Sequence, residues 1–183
     1  MTSNSMVQTS TDRRGFVRAT VVGASALALG SLSTTGHAMA GGPLDEATGK
    51  AARAALARAF YTPFNTGQVA LYDTVLAPDW IDRPLGPGQS AGRDGLKPVV
   101  RAYRAALSGL TVTIEDVVTD GDKVAIRTTL RGTHEGTLLG VAPTGRRVVF
   151  RAADIHRIAG NVIAETWHLE DLFGLMQQLK MPR

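Results

Sequence analysis

The sequence predicts an α+β domain, with helices on one face of an antiparallel sheet. Three observations point there. From Glu46 to Leu107 the chain favours helix and repeats its apolar residues at helical spacing. After Gly109 it turns rich in Val, Ile and Thr with alternating polarity, as half-buried strands require. Leu172, Leu175, Met176 and Leu179 then fall on one stripe of a short closing helix. Helices first and a strand meander second is an α+β pattern.

The elements follow in order. Glu46 to Phe60 is Ala- and Arg-rich without internal Gly or Pro, and Pro63 and Asn65-Thr66-Gly67 end that first helix. Val69, Tyr72, Val75 and Leu76 give a short second helix stopping near Pro78, and Trp80-Ile81-Asp82 reads as a short extended piece. Pro84, Gly86, Pro87 and Gly88 form a loop. A third helix spans Arg93 to Leu107, with Leu96, Val99, Val100, Tyr103 and Leu107 on one stripe. Pro98 is tolerable only near its first turn. Leu110 to Thr119 and Lys123 to Arg131 are strands joined by the hairpin turn Asp120-Gly121-Asp122. His134 to Leu139 and Arg146 to Ile158 make a second pair across Pro143-Thr144-Gly145. Ala159-Gly160-Asn161 turns into the last strand, Val162 to Leu169.

Residues 1–40 read as a leader. Asp12-Arg13-Arg14-Gly15-Phe16-Val17-Arg18 looks like a twin-arginine export signal, and a mildly apolar run follows from Ala19 to Leu32. That run is too short and too weakly apolar for a permanent membrane span. Ala38-Met39-Ala40 offers the small residues a signal peptidase needs, leaving Gly41 as the new N-terminus. The twin-arginine translocase would be a partner during export, and the destination would be periplasmic or extracellular. Residues 41–47 then form a linker and residues 48–180 one domain, long enough for a real core.

Composition excludes several function classes. Of the formal net charge of +4, half resides in the leader, where Arg13, Arg14 and Arg18 face Asp12. The remaining basic residues are scattered and aromatics are few, which argues against a nucleic-acid partner. Without cysteine there is no disulfide, thiol nucleophile, thiolate metal site or lipoprotein anchor. His134, His156 and His168 match no compact metal-ligand spacing, and no Gly-rich phosphate loop or Gly-x-Ser-x-Gly elbow occurs. Neither a metal nor a cofactor is expected.

Strand alternation assigns faces to the candidate site residues. Ile163, Glu165, Trp167, Leu169 and Asp171 share one face of the last strand. Val148, Phe150, Ala152, Asp154 and His156 share one face of its neighbour. If both faces are concave, they bound an apolar pocket with few ionisable groups. A carboxylate there loses hydration, which raises its pKa and lets it take and return a proton near neutrality. Asp171 is the candidate general acid/base. It also directly precedes a helix, where Asp is a preferred N-cap, so both roles stand open. His156 and His168 are each candidates for base or orienting partner, and His156 is preferred because alternation puts His168 opposite Asp171. Trp80, Tyr103, Phe150 and Trp167 are expected as pocket wall. His134, flanked by Gly132 and Gly136, is expected near the pocket with a mainly structural role. Asp82 and Arg83 fit either polar groups at a pocket mouth or a solvated pair, and the solvated pair is preferred.

Gly121-Asp122-Lys123-Val124, Gly132-Thr133-His134, Gly140 with Pro143-Thr144-Gly145, and Ile163 to Asp171 followed by Leu172-Phe173-Gly174-Leu175 resemble SnoaL-like polyketide cyclases, also called ester cyclases. The resemblance covers about residues 48 to 180. It implies the cone-shaped nuclear transport factor 2-like fold, with three N-terminal helices packed on a curved antiparallel sheet and a short C-terminal helix. It further implies cofactor-free aldol closure of a polyketide methyl ester, in which an aspartate moves the proton. By motif position that aspartate falls on Asp171, with His156 as a neighbour. Members often carry His just before the strand tryptophan, where this chain has Thr166. The superfamily also holds isomerases, dehydratases, hydrolases and non-catalytic members, so fold alone does not set the reaction. The expectation is an enzyme acting on a hydrophobic, carbonyl-bearing small molecule. The alternatives are a binding or carrier domain, or an interaction module, since this superfamily often forms homodimers through the sheet.

Overall fold

The computed structural model describes residues 43–180, which lie in one compact unit, Met39–Arg183. The leader expected over residues 1–40 lies outside the described residues. Helix α1 (Pro43–Ala59) starts within the expected linker. A proline at the first helical position costs no hydrogen bond, so Pro43 suits that start. The short α2 (Thr62–Thr66) ends at Gly67, whose φ of 81° gives the left-handed cap and sends its N–H to the Pro63 carbonyl at 2.8 Å. A 3₁₀ turn, Val69–Leu71, runs into α3 (Tyr72–Val75).

Strand β1 (Leu76–Arg83) is longer than the expected piece around Trp80. It is one of the two edge strands and pairs in parallel with the last strand, with a break in register between Leu76 and Ile81. Pro78 sits in that break, where no ladder hydrogen bond is required of it. Helix α4 (Arg93–Ala106) buries Gly95, Leu96, Val100 and Ala106. Leu107, expected on its stripe, instead opens β2 (Leu107–Asp120), which pairs with β3 (Lys123–His134). Strands β4 (Arg147–Ala159) and β5 (Val162–Glu170) follow, and α5 (Leu172–Lys180) closes the chain.

The expected strand over His134–Leu139 does not form. The N–H groups of Glu135 and Gly136 both donate to the Ala106 carbonyl, at 3.0 and 3.1 Å, pulling the chain onto the end of α4. A Cβ at Gly136 would lie 2.6 Å from the Ala105 carbonyl oxygen, so only glycine permits this approach. The sheet runs β1-β5-β4-β3-β2, antiparallel except at the β1–β5 edge. Register shifts in β2 and between β4 and β5 help curl it. The fold is thus the expected α+β class, with a curled sheet that also carries one parallel edge.

Core packing lies between the helices and the inner face of the sheet. Phe60 is its aromatic hub, with Tyr61, Tyr72, Trp80 and His156 ring centroids 4.8 to 6.2 Å away. α5 packs by burying Leu175 and Leu179. Its Gln178 amide pairs both ways with the Val149 backbone, at 2.9 and 2.8 Å.

Candidate functional site: a buried carboxylate in the curled sheet

The inner rows of the sheet end in a small cavity. β4 contributes Phe150, Ala152 and Asp154, all buried and on the face predicted from alternation. β3 adds Thr128 and Leu130, which face the cavity beside them. The roof comes from Phe60 and Tyr61 just after α1, from Phe64 in α2, and from Leu96, Val99 and Tyr103 on α4. Tyr103 stacks on Phe150, with ring centroids 6.5 Å apart and planes 28° apart. The cavity volume is about 80 Å³.

The face predicted for β5 is wrong over its second half. Arg157 pairs with Glu165, but Ile158 pairs with Ile163, so Ala164 is an extra residue without a partner. One inserted residue reverses the alternation beyond it. Ile163 points inward as expected, but from there Thr166, His168 and Glu170 line the cavity. Trp167 and Leu169 are turned to the outer face, where the Lys123 ammonium sits 5.7 Å from the Trp167 ring centroid. Trp167 is therefore not a wall of the cavity.

Asp171, expected as the acid/base, is exposed and is not among the residues lining the cavity. Its Oδ1 accepts the Gly174 N–H at 2.8 Å, the N-cap geometry that was its other reading. Gly174 makes room for that cap, since a side chain there would collide with the Asp171 carboxylate. His134 is fully buried away from the cavity, with Nδ1 3.0 Å from Thr144 Oγ1. Trp80 is also buried behind the wall rather than in it, and donates from Nε1 to Thr166 Oγ1 at 3.0 Å. His156 is fully buried too; it touches Tyr61 and Thr166 and does not face the cavity.

The carboxylate residue deepest in the wall is Asp154, which is 6% exposed. Its Oδ2 accepts the Tyr61 hydroxyl at 2.7 Å. Burial above all pushes its carboxyl up to about 6. The Tyr61 hydrogen bond and the charge of His168 oppose that rise, while Glu170 and Asp82 add to it. Burial, and then Asp154, raise the Tyr61 hydroxyl far above its ordinary value, so it stays a neutral donor. Burial lowers His156 to about 3, with His168 nearby adding to the effect, so His156 is neutral.

His168 lies between two carboxylates. Its Nδ1 is 2.7 Å from Glu170 Oε1, and its Nε2 is 2.8 Å from the Pro84 carbonyl and 3.2 Å from Asp82 Oδ1. Burial disfavours its charge, but the hydrogen bonds to Asp82 and Glu170 outweigh that and push its pKa to about 10. Both ring nitrogens therefore donate at neutral pH. Asp82 itself accepts Gln89 Nε2 at 2.7 Å. Arg83 does not pair with Asp82; it holds Glu165 at 2.6 Å on the other side of the strand. Among the described residues that line the cavity there are three carboxylates, one imidazolium and no Arg or Lys. Thr128 adds a fully buried hydroxyl that has no hydrogen-bond partner among the described residues.

Sequence reasoning placed Asp154 on the inner face without giving it a role, held Asp82 at a pocket mouth only as its second reading, and missed Tyr61, Thr128 and Glu170. Alternation in β4 was the available signal for Asp154. Nothing local marks Tyr61, which reaches Asp154 from 93 positions away.

The sequence model for SnoaL-like polyketide cyclases matches residues 54–179, which span this sheet, its helices and the cavity. The chain belongs to the SnoaL-like polyketide cyclase family. It is 30% identical to TsrD from Streptomyces laurentii, with a TM-score of 0.67 over 72% of this chain and 96% of that one. A Bacillus cereus ATCC 10987 protein proposed to be a polyketide cyclase is 31% identical, with a TM-score of 0.62 over 70% of this chain and 80% of its own. IdmH from Streptomyces antibioticus is 28% identical, with a TM-score of 0.62 over 70% and 99% of the two chains. No protein with a curated description matches. The family assignment accounts for the nuclear transport factor 2-like fold.

His168 gives a measurable consequence. Its folded pKa lies above the unfolded value near 6.5, so its ion pairs stabilise this SnoaL-like fold fully below about pH 6.5 and fade as pH rises through about 10. Ring ¹⁵N shifts will show His168 doubly protonated at pH 8 with a midpoint near 10. A midpoint near 6.5 would show that Asp82 and Glu170 do not hold the proton.

Proposed function

We propose that this SnoaL-like protein is a cofactor-free acid/base enzyme acting on a neutral, carbonyl-bearing small molecule, with Asp154 moving the proton. The observation that carries this is a carboxylate in a mostly apolar cavity wall, poised by burial near pH 6. Ionised Asp154 takes a proton from the carbon beside the ligand carbonyl, and the electron pair moves onto that carbonyl oxygen. The unpartnered Thr128 hydroxyl is suited to donate to the oxygen as its charge grows. The enolate carbon then attacks a second carbonyl in the same molecule, as in an aldol ring closure, and Asp154 returns its proton to the new alkoxide. In an isomerisation it returns the proton to another carbon. The carboxylates of the lining favour an uncharged ligand over a free acid. A volume of about 80 Å³ admits only the reacting end of a larger molecule without side-chain movement.

This is tested without knowing the natural substrate. In D₂O the protein should accelerate exchange of the C–H between the carbonyls of a small β-keto ester, followed by NMR. The rate should rise with pH through about 6, as Asp154 ionises. Asp154→Asn should lower it by about 10²- to 10⁴-fold, and Thr128→Val should weaken catalysis with little effect on folding. Asp171→Ala should leave exchange unchanged and cost about 1 kcal/mol of stability through the lost cap. Exchange that survives Asp154→Asn would remove Asp154 from this role. A carrier using the same cavity would bind the ester without accelerating exchange at all.

We also propose that two copies pair through the outer face of the sheet. Val118, Ile155 and Leu169 expose apolar side chains there, Leu169 to 77%. Sedimentation equilibrium should give a dimer, and Leu169→Glu should give a monomer; a wild-type monomer removes the proposal.

The Arg13-Arg14 pair, the apolar run and Ala38-Met39-Ala40 support export through the twin-arginine translocase to the periplasm or medium. Expressed in a bacterium, the full chain should be recovered outside the cytoplasm with Gly41 as its first residue. Replacing Arg13 and Arg14 by Lys should retain it, uncut, in the cytoplasm.

A further inference from the structure

Five buried side chains from separate parts of the chain form one continuous hydrogen-bonded series that runs from the cavity wall to the core behind it. Trp80 Nε1 lies 3.0 Å from Thr166 Oγ1, which lies 3.0 Å from His156 Nδ1. His156 Nε2 lies 3.2 Å from the Tyr61 hydroxyl, which lies 2.7 Å from Asp154 Oδ2. None of the five residues is more than 6% exposed, so water does not compete for these groups.

The direction of every hydrogen bond follows from what each group can do. An ionised carboxylate only accepts, so the single proton of Tyr61 goes to Asp154. The Tyr61 oxygen must then accept from His156 Nε2. His156 is neutral and holds one ring proton, so its Nδ1 is an acceptor and takes the Thr166 hydroxyl proton. Thr166 Oγ1 is left to accept from Trp80, whose indole N–H can only donate. Starting from Trp80 gives the same result, because Thr166 then needs an acceptor for its own proton and His156 Nδ1 is in place. Both ends therefore impose one polarity, and each hydrogen bond strengthens the next.

We infer that Trp80, Thr166, His156 and Tyr61 are positioning residues that commit the Tyr61 proton to Asp154 Oδ2 and leave Oδ1 as the one oxygen that exchanges a proton with a ligand. This rests on the reading of Asp154 as the acid/base. Oδ1 carries no hydrogen bond among the described residues. The series ends at Trp80, which cannot pass a proton on, so it orients and does not conduct. It also gives His156 a role other than base: the ring holds Tyr61 in place. The other groups acting on Asp154 are His168 and Glu170 from β5 and Asp82 from β1, and none of them is a member of the series. They set its charge balance, whereas the series selects the oxygen.

The test uses the uniformly ¹⁵N,¹³C-labelled protein and needs no substrate. Two-bond ¹H–¹⁵N correlations at pH 8 should show His156 as the Nε2–H tautomer. The Asp154 carboxyl ¹³C should titrate near pH 6, and Tyr61→Phe should move that midpoint up by about one to two units, as expected for a lost hydrogen bond to a charged group. Thr166→Val should shift it in the same direction by less, and Thr166→Ser, which keeps the hydroxyl, should restore it. A His156 Nδ1–H tautomer in the wild type overturns the inference, as does an equal effect of Val and Ser at position 166. If Thr166→Val does not fold, the wild-type tautomer still decides. The two proposals fail separately. Loss of exchange in Asp154→Asn together with a His156 Nδ1–H tautomer keeps the enzyme and removes the series. Exchange that survives Asp154→Asn removes the enzyme whatever the tautomer.

Discussion

Ala164 has no partner in β4, because Arg157 and Ile158 face Glu165 and Ile163 across the hairpin. That one extra residue determines which half of β5 meets the interior. Before it Ile163 faces the core; beyond it Thr166, His168 and Glu170 do. Without the bulge, Trp167 and Leu169 would fill the cavity beside Phe150, and Thr166 would be out of reach of His156. The same inversion leaves Asp171 outside, free to cap α5. Polar character on one side of the cavity, the apolar outer face of the sheet and the start of the last helix thus share a single geometric cause.

Inside the cavity two kinds of polar order coexist. The partly buried rim is ionic, with His168 held between Asp82 and Glu170. The buried side is neutral except for Asp154 and runs as hydrogen bonds through Tyr61, His156 and Thr166 to Trp80. Desolvation explains the division, since an imidazolium persists only where carboxylates offset its burial. His168 has two such partners and is charged; His156 has none and is neutral. Two histidines on paired strands, separated by burial and neighbours, therefore act in opposite ways.

Membership of the SnoaL-like polyketide cyclases covers the curled sheet and the helices over it. Within that fold, Asp154 on β4 lies opposite His168 on β5. The cavity is narrow, because Phe60, Tyr103 and Phe150 occupy room that a bulky ligand would need.

The sequence by itself determined the α+β class, the helix-then-meander order, the β4 face and the stripe of the last helix. Those features rest on local periodicity, which short-range backbone geometry converts directly into structure. It also carried both roles of Asp171, though it did not choose between them. Tertiary structure decided the rest. β1 became a full strand because β5 offers it a parallel partner, and the chain after His134 left the sheet because the Ala106 carbonyl at the end of α4 captured the Glu135 and Gly136 N–H groups. Tyr61, just beyond α1, met Asp154 only when the helices folded onto the sheet, and the bulge at Ala164 became visible only in the pairing of two strands. Burial, which turns Asp154 into an acid/base candidate and makes His156 neutral, comes from packing of segments distant in sequence, so no local pattern could report it.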